Sequence, residues 1–233
     1  EGVRATGLLR DGDAVCGVVA SAEIRARHVV GADGLRSIVA RRLGAIRRAA
    51  RIHKLSLTAH MDDVLPRADI GEMHVGDGLC VGAAPVCGVT NRWNVTVVAD
   101  AARYGRVVAD DAESFFTHAI AQLPGLRDRV AMNVSHLARH AFLASGPFDV
   151  PTRRIAFTGA SLVGDAAGYF DPFTGQGVYH AMRGAEILAA SLIDEFARSG
   201  TGAIMASAYA TAAHAMTRPQ RRLQRVVDAV LRH

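Results

Sequence analysis

The 233-residue sequence predicts a mixed α/β chain, with strand-then-helix segments at both ends and an antiparallel sheet between them. Two observations carry that prediction. At Val29–Gly44 and again from Ile155 to Phe196, a short apolar run passes through glycine-rich turn residues into helical periodicity. Between them, residues 50–100 alternate apolar and polar positions with frequent Gly and Asp, the pattern of strands with one covered face.

Taken in order, "VRATGLL" and "AVCGVVA" flank Asp11-Gly12 and predict a β-hairpin. "EIRARHVV" predicts a third strand running into "GADGLRS", and "SIVARRLG" a short helix closed by Gly44. The central strands are expected in "IHKLSLTAHMDD", "GEMHVGDGLCVGAAPV" and "RWNVTVVAD". Residues 108–123 predict one helix, with acidic residues in its first turn and Pro124-Gly125 after its end. "IAFTGASLVGDAAG" is a short strand segment with turn residues inside it. The helix that follows places Val178, Ala181, Met182, Ala185, Leu188, Leu192 and Phe196 on one face and ends at Ser199-Gly200. A last helical region, interrupted by Pro219, runs to His233.

Composition narrows the function classes. Half the residues are apolar (50%), and no apolar run approaches the ~18–20 residues of a membrane span. Glu1-Gly2-Val3-Arg4 lacks the pattern of a signal peptide. Three cysteines without CxxC spacing predict ordinary thiols in a cytoplasmic protein. The formal charge of +5 is almost all arginine, clustered at Arg36–Arg51 and Arg218–Arg225. With no interleaved aromatics or nucleic-acid motif, these clusters predict a solvated face. The weaker alternative is a rim that attracts an anionic cofactor or a membrane surface. His136 and His140 have the i, i+4 spacing of a helical metal pair but lack the glutamate of H-E-x-x-H, so no metal is expected.

The least ordinary stretch is "GDAAGYFDPFTGQGVYHAMRGAE", Gly164–Glu186. A helix start exposes unpaired N–H groups and partial positive charge, and favours an anion or an electron-rich ligand edge. Gly175 and Gly177 let a ligand touch the backbone there, Pro172 stiffens the approach, and Asp165 lies at a strand end, where it could accept hydrogen bonds from hydroxyls. Val29–Gly44 repeats the strand, turn and helix sequence through Gly31-Ala32-Asp33-Gly34. Taken alone, each stretch also fits a glycine-rich connection with a helix cap.

Together and in this order, they resemble the FAD-dependent monooxygenase and oxidoreductase superfamily. Its members include aromatic hydroxylases of the para-hydroxybenzoate hydroxylase type and geranylgeranyl reductase-like enzymes. Gly31–Gly34 with Arg36 and Ser37 is similar to the family's DG motif; Gly164–Gly168 followed by Asp171–Gly177 is similar to its third fingerprint, the GD motif. The resemblance implies an incomplete FAD-binding Rossmann-like domain with an inserted antiparallel substrate-domain sheet. Residues 1–48 and 151–233 would be parts of the FAD-binding domain, and 49–150 the substrate domain. It implies that Asp165 hydrogen-bonds the ribityl chain of FAD, that Gly164 permits close approach and that Pro172 lies near the isoalloxazine ring. The backbone of Gly175, Gln176 and Gly177 would face the pyrimidine edge. Asp33 and Gly34 belong to a motif linked to both FAD and NAD(P)H. No GxGxxG occurs in the sequence, so the chain is expected to be a truncated part of a larger flavoenzyme.

The resemblance further implies an NAD(P)H-dependent monooxygenase, a hydroxylase acting on a small organic substrate. Halogenases of this superfamily use a W-x-W-x-I-P motif and a catalytic lysine, whereas Trp93 and Lys54 are the only tryptophan and lysine here. Prenyl reductases carry a Y-x-W-x-F-P motif; "GLCVGAAPVCGV" keeps Pro85 without those aromatics, although "FDPFTGQG" leans toward that branch. A reductase that saturates an isoprenoid C=C bond and a non-catalytic remnant or binding module stay open as alternatives.

Overall fold

The computed structural model of the chain describes residues 2–47, 54–62, 70–89, 92–130, 142–146, 148–170, 172–199 and 204–231. They fall into two units, Glu1–Ala50 with Asp149–Val226 and Arg51–Phe148 with Val227–His233.

In the first unit, β1 (Gly7–Asp11), β2 (Ala14–Val19) and β3 (Glu23–Arg25) form an antiparallel sheet in that order. The strand expected over "EIRARHVV" is in fact two. The Ala26 N–H donates to the Cys16 carbonyl and closes the β2–β3 ladder, while β4 (Val29–Gly31) joins a different sheet. Alternation runs through both strands, and only their pairing partners separate them. Helix α1 (Ile38–Arg42) follows, its start capped by Ser37, whose hydroxyl accepts from the Ala40 N–H at 2.8 Å.

The chain passes to the second unit and returns at Asp149. Arg47 N–H to the Pro151 carbonyl (2.9 Å) and Arg153 N–H to the Ala45 carbonyl (2.7 Å) tie the outgoing and returning segments together. Strand β10 (Ala156–Phe157) then turns into β11 (Ala160–Leu162), which lies parallel to β4 with Leu162 opposite Gly31. A Cβ at Gly31 would sit 2.7 Å from Leu162 Cδ2 and 2.8 Å from Val39 Cβ, so only glycine admits this packing. Helix α5 (Gly177–Ser199) and α6 (Ser207–Leu231) as far as Val226 complete the unit, over a core that includes Val15, Val29, Val39, Leu162, Leu188 and Tyr209.

Two helix expectations change here. On α5, Val178 and Met182 are 73% and 66% exposed, and the buried positions are Gly184, Leu188 and Ser191. The small residues decide this face. A Cβ at Gly184 would meet Val163 at 3.4 Å, and one at Gly164 would meet Ala181 at 3.3 Å, so the helix packs close on its glycine and alanine side. Helix α6 runs through Pro219 without interruption; the proline is exposed and forfeits a single backbone bond.

In the second unit, β5 (Lys54–Asp62), β6 (Glu72–Gly76), β7 (Leu79–Pro85), β8 (Arg92–Asp100) and β9 (Leu143–Ser145) form an antiparallel sheet in the order β6-β7-β8-β5-β9. One face, with Leu57, Met61, Val81, Val95 and Val97, packs on Phe115, Phe116 and Ile120. The helix expected over 108–123 is divided at Asp111 into α2 (Ala101–Asp110) and α3 (Ala112–Ala121). Asp111 adopts an extended backbone and its carboxylate accepts from the Ser114 N–H at 3.0 Å, so capping a new helix replaces continuation of the old one. Pro124 opens α4 (Pro124–Val130) instead of marking a stop, as its missing N–H allows at a first helical position.

Among the described residues, no helix is long and apolar enough to cross a membrane, and no group of three or more His, Cys, Asp or Glu is placed to hold a metal ion. His136 and His140 lie outside the described residues.

Gly31→Ala is expected to destabilise the first unit by about 1–3 kcal/mol through overpacking against Leu162 and Val39. Urea denaturation followed by circular dichroism measures it, and an unchanged midpoint would contradict the close β4–β11–α1 packing.

Candidate functional site

The parallel pairing of β4 and β11 determines where the two glycine-rich motifs stand. The Val163 N–H donates to the Gly31 carbonyl at 3.0 Å, so both strands end together. The turn holding Asp33 and Gly34 and the turn holding Gly164 and Asp165 therefore leave the same edge of one sheet. That carboxyl edge is where open α/β sheets bind ligands.

After β11 the chain forms a 3-10 turn (Gly164–Ala167), passes Tyr169 and Phe170, forms a second 3-10 turn (Pro172–Thr174) and enters α5 at Gly177. Gly164, Asp165, Pro172, Gly175, Gln176 and Gly177 thus lie on one segment; Asp171 is outside the described residues. Gly164 has φ +61° and stands against Ala181, which explains glycine at the start of the turn. Gly175 has φ +65° with open space where a Cβ would project, so the backbone just before α5 can be approached.

Distant residues clamp this segment. The Tyr209 hydroxyl donates to the Leu162 carbonyl at 2.5 Å, and burial pushes its pKa up to about 12, so it remains a donor. The Thr152 hydroxyl donates to the Ala167 carbonyl, and Gln224 Nε2 donates to Thr174 Oγ1 at 2.9 Å. Val150 and Tyr169 exchange backbone hydrogen bonds of 2.8 and 3.2 Å.

Asp165 belongs to the first 3-10 turn. It is half-buried, no hydrogen bond or ion pair reaches its side chain among the described residues, and burial raises its pKa above the ordinary carboxylate value. Asp33 is placed quite differently. Its oxygens accept from the Ser37 hydroxyl at 2.5 Å and from the Ile38 and Val39 N–H groups at 2.6 and 3.3 Å, so it organises the start of α1. Gly34, at φ +74°, makes the turn between them.

Asp165, Gly164 and Gly177 line a cavity of about 80 Å³ whose other walls are His180 of α5 and Tyr209, Gln220 and Arg221 of α6. Burial, and then the Arg221 charge, lowers the pKa of His180. These α6 residues carry no motif. The cluster Arg218–Arg225, expected to be a solvated face, turns Arg221 inward while Arg218 and Arg222 stay exposed.

The sequence matches the family model described as FAD binding domain over residues 1–222. The chain belongs to this FAD binding domain family. No match was found among curated proteins. Solved structures with the same fold include a triple mutant of the flavin-dependent brominase Bmp2 (TM-score 0.76, 19% identity, 91% of this chain and 55% of that one). They also include PqsL, a probable FAD-dependent monooxygenase from Pseudomonas aeruginosa (TM-score 0.66, 21% identity, 95% and 60%). A third is a single mutant of the halogenase PltM in complex with FAD (TM-score 0.69, 16% identity, 86% and 43%). The chain therefore spans about half the length of these proteins, and at such identities the likeness establishes the fold.

The residues of the FAD binding domain fit its cofactor. An unpartnered, half-buried carboxylate waits for donors, and a glycine-opened helix start offers N–H groups.

The raised pKa of Asp165 has a consequence for stability. The unfolded chain releases this proton at the ordinary carboxylate value, whereas the folded chain holds it to higher pH. The stabilisation is present below the ordinary value and is lost as pH rises through the raised one. Asp165→Asn, which cannot ionise, should melt above wild type at neutral pH and no higher than wild type in acid below the carboxylate range. Thermal unfolding of the FAD-free chain at the two pH values checks this, and equal melting temperatures at neutral pH would argue against a desolvated carboxylate.

Proposed function

We propose that this FAD binding domain is part of an FAD-dependent oxidoreductase, an NAD(P)H-dependent monooxygenase acting on a small organic substrate. The observation that carries the reading is the Asp165 carboxylate, half-buried without a partner beside a glycine-opened helix start. When bound, FAD supplies the redox chemistry, passing electrons from NAD(P)H to oxygen. Asp165 accepts hydrogen bonds from ribityl hydroxyls, and Gly164 keeps the turn close against α5. Pro172 would help hold the isoalloxazine ring, and the backbone of Gly175, Gln176 and Gly177 would serve its pyrimidine edge. The start of α5 favours negative charge on the pyrimidine edge by ~0.3–2 kcal/mol. Asp33 and Gly34 shape the neighbouring turn, and its exposed face is left for FAD or NAD(P)H. Residues 49–150 act as the substrate domain.

A second reading, a reductase acting on an isoprenoid C=C bond, is favoured by the sequence "FDPFTGQG". Halogenation is not favoured by the residues: Trp93 is 2% exposed inside the sheet core, where it cannot reach a ligand.

Asp165→Ala should weaken FAD binding ten- to a hundredfold, the loss of one charge-assisted hydrogen bond of about 1.5–3 kcal/mol. Fluorescence titration measures it, and an unchanged affinity removes Asp165 from the cofactor site. For the reaction class, the FAD-loaded protein should consume NAD(P)H with oxygen and release peroxide when no substrate is present. Turnover on an isoprenoid without oxygen, and no peroxide, would establish the reductase instead.

A further inference from the structure

The sheet of the second unit has two faces, and the core of Phe115, Phe116 and Ile120 covers one of them. On the other face, the register sets Met73 of β6, Gly82 of β7, Thr96 of β8 and Thr58 of β5 in one row across the strands. Ala84 follows Gly82 on the same face, because side chains alternate along a strand. A Cβ at Gly82 would meet only Met73, at 3.8 Å and beyond, so Gly82 and Ala84 make a low floor between Met73 and Thr96. With neighbouring strands ~4.8 Å apart, β6 and β8 stand roughly 9–10 Å from one another, the width of one planar ring. Met73 is 48% exposed and gives this trough an apolar, adaptable wall.

The opposite wall is polar and uncharged. Thr58 and Thr96 share one hydrogen bond, Oγ1 to Oγ1 at 2.8 Å, and Asn94 Nδ2 donates to Thr96 Oγ1 at 3.5 Å. Two hydroxyls carry two protons and their mutual bond uses one, so the other is left for an acceptor outside the pair. All three residues are half-buried. The charges of this face stand at its ends, each opposite its counter-charge. Arg92 donates to Asp62 at 2.6 and 2.9 Å, and Lys54 lies across from Asp100, the cap of α2. Between those ends, no Lys, Arg, Asp or Glu of the strands stands on this face among the described residues, and His60, which is exposed, is the one basic group. An anion in the trough would lose water without gaining a fixed cation, whereas an uncharged acceptor needs none.

We propose that this trough binds an uncharged planar molecule through one oxygen, a neutral carbonyl or hydroxyl that accepts the remaining threonine proton, with its ring over Gly82 and Ala84 against Met73. The proposal rests on the reading of residues 49–150 as the substrate domain, and it narrows the substrate to neutral molecules. Charge makes the selection here, because a carboxylate and its carboxamide have the same outline.

The test uses the FAD-free full chain and two such isosteric probes, 2-naphthamide and 2-naphthoate, titrated at neutral pH with amide NMR shifts as the readout. 2-Naphthamide should bind and shift the amides of Gly82, Ala84, Thr58 and Thr96, and 2-naphthoate should bind about tenfold more weakly or worse. Gly82 lies outside the positive-φ region and accepts a side chain, so Gly82→Leu fills the floor and should weaken 2-naphthamide by about tenfold or more. Ala84→Leu serves the same purpose if Gly82→Leu does not fold. Thr58→Val together with Thr96→Val removes both hydroxyls and should weaken binding about three- to tenfold, the worth of one neutral hydrogen bond. The proposal is overturned if 2-naphthamide does not bind or shifts other residues instead. It is equally overturned if 2-naphthoate binds as tightly, or if the folded variants bind like wild type. Failure of the flavin reading looks different: NAD(P)H oxidation is then missing while 2-naphthamide still binds.

Discussion

The parallel pairing of β4 with β11 is the contact on which the site depends. Three residue pairs, Val29 with Ala160, Val30 with Ser161 and Gly31 with Leu162, join segments that Arg51–Phe148 of the second unit separates in sequence. Because the strands run the same way and end together, the turns after them open on one edge. Had they paired in opposite directions, Asp33 and Asp165 would lie at opposite ends of the sheet. Close packing at Gly31 against Leu162 and Val39 holds that register, and the backbone bonds from the Arg47 N–H to the Pro151 carbonyl and from the Arg153 N–H to the Ala45 carbonyl close the long excursion.

The segment between β11 and α5 is short of regular structure, yet other elements hold it in place. Tyr209, Thr152 and Gln224 each bond a different point along it, at Leu162, Ala167 and Thr174. Rigid support of this kind is what a binding loop needs to keep its donors and acceptors in place before a ligand arrives. It also explains why Asp165 can remain without a partner. The surrounding bonds stabilise the turn, and the desolvated carboxylate weakens it only locally, as functional groups commonly do.

In the second unit, aspartates decide local structure by capping. Asp100 accepts from the Ala102 and Arg103 N–H groups at 2.7 and 3.2 Å, and Asp111 from Ser114. Each starts a helix that carries aromatic and aliphatic side chains toward the sheet. The result is a sheet with one face sealed by Phe115, Phe116 and Ile120, and with Trp93 spent on that core.

Local chemistry made much of this legible in the sequence. Gly-Ala-Asp-Gly before a helix and Gly-Asp-Ala-Ala-Gly before another announced two turns, Gly44 announced the end of a short helix, and alternation announced the central strands, because each signal lies within a few residues of its effect. What depended on partners was hidden. The break between β3 and β4 follows from which sheet each strand joins. The buried side of α5 follows from Gly184 and Ala181 fitting against Val163 and Gly164, where a count of large apolar residues points to Val178 and Met182. The α6 wall of His214, Gln220, Arg221 and Gln224 read as an ordinary polar helix. The sequence by itself determined the chemical groups and the turns that present them. Only tertiary structure decided which turns share an edge and which polar atoms are buried without partners, because both depend on contacts between segments far apart in the chain.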